Sequence, residues 1–307
     1  MPSPPKRWIV GSFAAITLLF LFNSAGHAIV WGEPDGDRHP SAGALFLQFD
    51  PDVFSLPDPG VPPGVLPICS GSVVAQSDTR ALYLTAGHCV LGLLQAMQAL
   101  GPLNPAPVVS FSGNHHVDPG VAIPVDMTAL HFQLGIPGPP TAIGALPDFD
   151  DIGLLVLQAG EAAHLPVPLA LPPPGLLDAL GAAGLRRSEF RVIGFGDDIT
   201  PPAPHTRARV FGIRQIGFPR PVNLGDKYLM GQQNGPSGSS GIYFGDSGGP
   251  AFWVDPGTGE EWLVAINAHP VGAVNVSPDV ATLGQYYRID TPHALAFIQM
   301  VGQAEGF

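Results

Sequence analysis

Short apolar runs bounded by turn residues recur from residue 41 to residue 289, and most are too short for helices. SAGALFLQF (41–49), CSGSVVAQ from Cys69 and RALYLTAGHC from Arg80 read as β-strands. So do Ile152–Leu157, Phe190–Gly196, Arg207–Ile216, Ala251–Val254, Trp262–Asn267 and Tyr286–Ile289. Many short strands at irregular spacing, with few long helical patterns, predict an all-β protein of barrel or sandwich type. One helical pattern stands at the end, where apolar residues between Thr291 and Val301 predict a terminal helix over about 291–303. Proline-rich spacers interrupt the strands at 57–67, 135–140 and 165–174. The last of them, LPVPLALPPP, predicts a crossing between two halves.

The N-terminus carries a different pattern. Lys6 and Arg7 precede an uncharged apolar run, Trp8 to Phe22, and NSAGHA then places Gly26 and Ala28 where a signal peptidase reads small residues. The run of 15 residues falls short of the ~20 that a membrane-spanning helix needs. Residues 1–28 therefore read as a secretory signal cut after Ala28, leaving 29–307 as the mature chain. This predicts export to the extracellular space or periplasm, with no membrane association after cleavage. Export also changes the meaning of Cys69 and Cys89. As the only two cysteines, in an oxidising compartment, they predict one disulfide. Its closed loop of about 20 residues corresponds to about 3 kcal/mol of loop-closure entropy.

Composition narrows the picture further. Glycine and proline number 39 and 36, yet 45% of the chain is hydrophobic and only 12% is charged, which predicts a folded chain rich in loops. A net charge of -12 argues against a nucleic-acid partner, because affinity for phosphate backbones rests on clustered Lys and Arg. The His115-His116 pair lacks metal-ligand spacing to a second cluster, so no metal and no other cofactor is expected.

Candidate chemistry concentrates in GIYFGDSGGP, Gly241 to Pro250. Gly245-Asp246-Ser247-Gly248-Gly249 fits the G-x-S-x-G nucleophile elbow of α/β-hydrolases and equally the GDSGGP loop of trypsin-like proteases. Chain order separates the two. The first would need His269 or His293 after an acid such as Asp255, Asp279 or Asp290, and an alternating β/α pattern that the chain lacks. Upstream of Ser247 lie LTAGHCV (84–90) and DDIGLLVL (150–157), giving the order His88, Asp151, Ser247.

On these residues the chain resembles the chymotrypsin/trypsin family of serine proteases. IVWG (29–32), TAGHC, DIGLLVL, VIGFG (192–196) and GDSGGP occur in the family's order, and GQYYRI from Gly284 is similar to its closing strand. The likeness runs from Ile29 to about Met300. It implies two antiparallel six-stranded β-barrels, about 29–165 and about 186–290, with the active site between them and a C-terminal helix after the second. It also implies a serine endopeptidase that cuts polypeptide substrates through an acyl-enzyme, without a cofactor and as a monomer.

Each residue type has a chemical reason. A serine hydroxyl is a poor nucleophile until a base takes its proton, the role of His88 towards Ser247. A buried carboxylate fixes the imidazole tautomer and stabilises the imidazolium, the role of Asp151, for which Asp148 and Asp150 are rivals. The N–H groups of Gly245 and Ser247 are the expected oxyanion hole. The resemblance places the floor of the primary specificity pocket at Gly241, with walls from Ile242, Ala268, His269, Pro270 and Gly284. Without an acid at Gly241, a basic side chain would find no counter-ion there, so apolar or small side chains are expected before the cut bond. Tyr243 stands where the family usually has a cysteine, so the nucleophile loop needs another support. The family's activation ion pair would join the α-amine of Ile29 to Asp246. Because Ala28 precedes Ile29, export and activation are expected to be one cut. A catalytically silent, protease-like binding protein is the competing function.

Overall fold

The computed structural model describes residues 29–56, 61–115, 120–135, 146–160, 164–196, 211–271 and 282–307. The expected signal segment 1–28, His116, most of the 135–140 spacer and the start of the Arg207–Ile216 strand lie outside them.

The chain is mostly β. Six strands, β2 (Ala42–Gln48), β3 (Val65–Gln76), β4 (Arg80–Thr85), β5 (Ala106–Ser110), β6 (Ile123–Leu134) and β7 (Asp151–Gln158), close a barrel in the order β2-β3-β4-β7-β6-β5. The near-continuous apolar run of β7 follows from its position. Its residues 151–157 are all buried, flanked by β4 and β6 along its edges and touched by the helix that follows β4. Leu45, Leu82, Leu84, Leu155 and Leu157 are completely buried in this core, each contributing roughly 1.5–3 kcal/mol.

The second half differs from the expected second barrel. Short strand β1 (Glu33–Pro34) joins β8 (Glu189–Gly194), β9 (Gln215–Gly217), β10 (Arg220–Leu224), β11 (Tyr228–Gln233), β12 (Pro250–Val254), β13 (Glu261–Val271) and β14 (Thr282–Arg288). They form one eight-stranded antiparallel sheet, β1-β9-β8-β12-β13-β14-β11-β10, which hydrogen bonds do not close. Its edge strands carry Pro34 and Pro221, and β10 is bulged between Pro221 and Asn223. Proline has no N–H for a ladder, so neither edge offers a complete partner to the other.

A helix interrupts the strand expected to run to Cys89. Strand β4 stops at Thr85, and α1 (Gly87–Leu100) begins two residues later with Cys89, Val90, Leu93 and Ala96 buried on one face. Residues 164–174 lead without regular structure from the barrel to α2 (Leu176–Leu185). The terminal helix α3 (Pro292–Glu305) is capped by Thr291, whose Oγ1 accepts the Ala294 N–H at 3.2 Å, and has Pro292 in its first turn. Among the described residues no helix is long and apolar enough to cross a membrane.

Candidate active site

His88 occupies the first turn of α1 and Asp151 the first position of β7. These elements meet because Thr85, just before α1, is the register partner of Gly153. The Asp151 carboxylate serves both the helix and the imidazole. Its Oδ1 accepts the His88 backbone N–H at 2.9 Å, one of the donors that every helix N-terminus leaves unpaired. His88 Nδ1 lies 2.9 Å from Oδ2 and 3.1 Å from Oδ1. Burial alone would raise the completely buried Asp151, but the charge and hydrogen bonds of His88, with a smaller contribution from His269, hold its carboxyl below the usual value. The rival acids point elsewhere. Asp150 accepts from the Tyr287 hydroxyl at 3.0 Å and pairs with Lys227 at 3.2 Å, and Asp148 is exposed.

Ser247 lies in the loop between Gly241 and Pro250, which packs against the residues leading into α1. A Cβ on Gly248 would stand 2.8 Å from the Ala86 nitrogen, and the Ser247 carbonyl accepts the Ser70 N–H at 2.8 Å. The Ser247 hydroxyl donates to the Ala268 carbonyl at 3.2 Å. Among the described residues no hydrogen bond joins it to His88. The two still share a neighbour, because His269, next to Ala268, stacks on the His88 ring at 5.0 Å between centroids.

Gly245, expected in an oxyanion hole, has a backbone that only glycine adopts readily. Its φ is +90°, and a Cβ there would lie 2.6 Å from Gly196 Cα, so only glycine fits. Among the described residues the N–H groups of Gly245 and Ser247 meet no acceptor within the protein. Asp246, between them, is completely buried. Its Oδ1 accepts the Gly196 N–H at 3.1 Å and its Oδ2 the Tyr243 N–H at 2.9 Å.

The loop takes its support from Ser70 in place of the absent cysteine. Ser70 Oγ donates to the Gly245 carbonyl at 2.9 Å and accepts the Phe195 N–H at 3.0 Å. Its neighbour Cys69 forms the expected disulfide with Cys89, at a Cα separation of 6.0 Å. One covalent and several polar links thus converge on the residues beside His88 and Ser247. A lone serine in a strand carries no signal of this role in the sequence.

At the N-terminal side, Ile29 is completely buried, and Val30 and Gly241 exchange both backbone hydrogen bonds at 2.6 and 3.1 Å. Gly217 faces Ile29, where a Cβ would come within 2.6 Å of Ile29 Cγ2. Of the expected pocket residues, Gly241, Ile242, Ala268 and Gly284 are buried, whereas His269 and Pro270 are half-buried. Ile242 packs with Ile29, Val264 and Tyr286 in the sheet core. Gln233, which the sequence reading did not single out, fills the space beside Gly241.

His269 faces the His88–Asp151 pair, with Nε2 3.5 Å from Asp151 Oδ2. Burial, then the charge of His88, pushes its imidazole down to about 4, against the opposing pull of Asp151. His88, Asp151 and His269 are close enough to suggest a metal centre. The two rings are stacked at 29°, however, and imidazole donates to a metal within its own plane, so their lone pairs do not converge on one ion. Of the His115-His116 pair, the described member is buried and stacks on Phe195 at 5.6 Å. The geometry can therefore orient a general base, offer two N–H donors to an oxyanion and present a hydroxyl beside them.

Comparison with protein-family models finds none that matches the chain, and comparison with curated proteins finds no match.

Proposed function

We propose that the protein is a serine endopeptidase of the trypsin-like type, exported and acting on polypeptides without a cofactor. The observation that carries this reading is the buried Asp151 carboxylate bound at once to the backbone and to Nδ1 of His88, beside a loop that presents Ser247 with two N–H groups that meet no acceptor among the described residues. In this reading Nδ1–H stays on Asp151 while Nε2 takes the Ser247 proton, and the tetrahedral oxyanion is received by the N–H groups of Gly245 and Ser247. Attack requires the Ser247 hydroxyl to leave the Ala268 carbonyl. The open sheet of the second half then stands as a trypsin-like second barrel that is incompletely closed.

The present hydrogen bond from Ser247 to Ala268 favours a second reading, a catalytically silent binding protein. A fluorophosphonate probe decides between them. Labelling of the purified mature protein at neutral pH, lost in Ser247→Ala, supports the enzyme, and absence of labelling in the wild type supports the binding protein. In a casein or peptide assay His88→Ala and Ser247→Ala are each expected to abolish nearly all hydrolysis, and the double variant to be hardly worse. Additive losses would contradict the assigned triad.

A further inference from the structure

The floor of the expected specificity pocket is occupied by a side chain from another strand. Gln233, the last residue of β11, is 1% exposed, and its carboxamide lies where a side chain at position 241 would go. A Cβ on Gly241 would stand 2.6 Å from Gln233 Cδ. A Cβ on Gly284, on the opposite wall, would meet Gln233 Oε1 and the Tyr286 hydroxyl, each at 2.5 Å. Floor and wall therefore converge on the same amide, and both positions must be glycine to leave room for it.

Hydrogen bonds hold the amide there. Gln233 Nε2 donates to the Ile242 carbonyl at 2.8 Å, and Oε1 accepts the Tyr286 hydroxyl at 3.3 Å. Tyr286 is itself 1% exposed, and Gly241 and Gly284 are also buried, so the amide sits among buried neighbours. A long side chain entering beside Ser247 would have to expel the carboxamide, leaving the Ile242 carbonyl and the Tyr286 hydroxyl buried without that partner. A short side chain would make no such demand.

On the reading that Ser247 is an acyl-transfer nucleophile, we propose that Gln233, locked by Tyr286, plugs the primary pocket and restricts cleavage to bonds that follow small uncharged side chains of alanine, serine, threonine or valine size. Gln233 is then a specificity-determining residue supplied from outside the nucleophile loop. The plug is neutral, so it excludes long basic, acidic and aromatic side chains by volume, and none of them gains a counter-charge from it.

The test uses the mature protein and three covalent probes: a simple alkyl fluorophosphonate, and two peptidyl diphenyl phosphonates that differ only in an alanine-type or a phenylalanine-type side chain at the reacting residue. The expected result is labelling by the fluorophosphonate and a rate constant about tenfold or more higher for the alanine-type probe, in the range that pocket size alone achieves. Gln233→Ala should raise the relative rate of the phenylalanine-type probe by about tenfold, while Gln233→Met, which keeps the volume of the plug, should preserve the wild-type preference. Equal or faster wild-type labelling by the phenylalanine-type probe overturns the plug and leaves the serine hydrolase reading standing. An unchanged preference in folded Gln233→Ala does the same. Failure of the fluorophosphonate to label overturns the enzyme reading and the plug with it. If Gln233→Ala does not fold, the wild-type ratio alone decides.

Discussion

Ser70 Oγ donates to the Gly245 carbonyl at 2.9 Å, tying the strand that bears Cys69 to the loop that bears Ser247. The same oxygen accepts the Phe195 N–H, so one hydroxyl joins three segments. Ser70→Ala removes both bonds and leaves a buried N–H without a partner, a cost of about 1–3 kcal/mol in unfolding free energy. The larger effect is expected on the peptide groups around Gly245, which in the proposed mechanism carry the oxyanion donors. Losing one such donor costs ~10² to 10³ in rate, so disordering it should lower kcat by about 10- to 100-fold with little change in KM. Steady-state kinetics together with urea unfolding check this, and a normal kcat would remove Ser70 from the positioning machinery.

A buried charge network anchors the segment after Ile29. His39 holds Asp35 Oδ1 through Nδ1 at 2.6 Å and Glu261 Oε2 through Nε2 at 2.9 Å, while Arg214 meets Asp35 Oδ2 at 3.1 Å and Arg191 pairs with Glu261. Burial acts to lower the His39 imidazole, but the two carboxylates overcome it and hold it above 6.5. A raised folded value stabilises fully below the unfolded one, and the contribution disappears as pH rises through the raised value. Burial would raise Asp35, whereas His39 and Arg214 hold it below 3.8. For Glu261 the His39 hydrogen bond leads in lowering it below 4.5. The carboxylate contributions are therefore present above those values and fade as pH falls through the lowered ones. The melting temperature of the wild type should exceed that of His39→Phe most clearly near pH 6, with the gap narrowing on the alkaline side. A gap constant from pH 5 to pH 9 would contradict the coupling.

How much of this was legible follows from the kind of signal each feature leaves. The order of His88, Asp151 and Ser247 in the chain is a linear property, and β7 announces itself through a buried apolar run bounded by turn residues. Helix α1 was hidden because TAGHC continues the apolar strand without a capping side chain: Ala86 has no side-chain acceptor for the helix, and the side chain that caps it is Asp151, 63 positions away. Strands β10 and β11 mix polar residues with glycine and proline and were missed on pattern alone. The open second sheet depends on which edges lack N–H donors, a matter of pairing that periodicity does not encode. Gln233 and Ser70 act through long-range hydrogen bonds, and nothing local distinguishes them from any glutamine or serine.

His269 should shape the acid side of the stability profile. Its folded value of about 4 lies below the ordinary 6.5, so between these pH values the unfolded chain binds a proton that the folded protein refuses. Stability from this position consequently rises as pH increases from about 4 to 6.5 and is flat above. Protonation below about 4 would place a positive charge on the ring that stacks on His88. His269→Phe keeps the aromatic stack and removes the titration, so it should flatten this part of the curve. Chemical denaturation in steps from pH 4 to pH 8 measures the slope, and an unchanged slope in the variant would show that His269 does not titrate there.

The junction AGHA/IVWG places the last prediction on activation. Ile29 is completely buried, Val30 is paired with Gly241, and Asp246 is completely buried in the loop that bears Ser247. In the proposed mechanism one cut after Ala28 both releases the protein and frees the Ile29 amine, which pairs with Asp246 and orders the N–H groups of Gly245 and Ser247. Gly194 is needed for this, since a Cβ there would come within 2.5 Å of Asp246 Cγ. The secreted chain should begin at Ile29, as N-terminal sequencing can determine. A form with one or two residues added before Ile29 should fold yet lose at least about 100-fold in kcat/KM, comparable to losing an oxyanion donor, because the added residues draw the amine away from Asp246. Gly194→Ala, by pushing the carboxylate aside, should reproduce much of that loss with the natural terminus intact. A mature chain starting elsewhere, or full activity in the extended form, would separate export from activation and assign the ordering of the loop to Gly196 and Tyr243 alone.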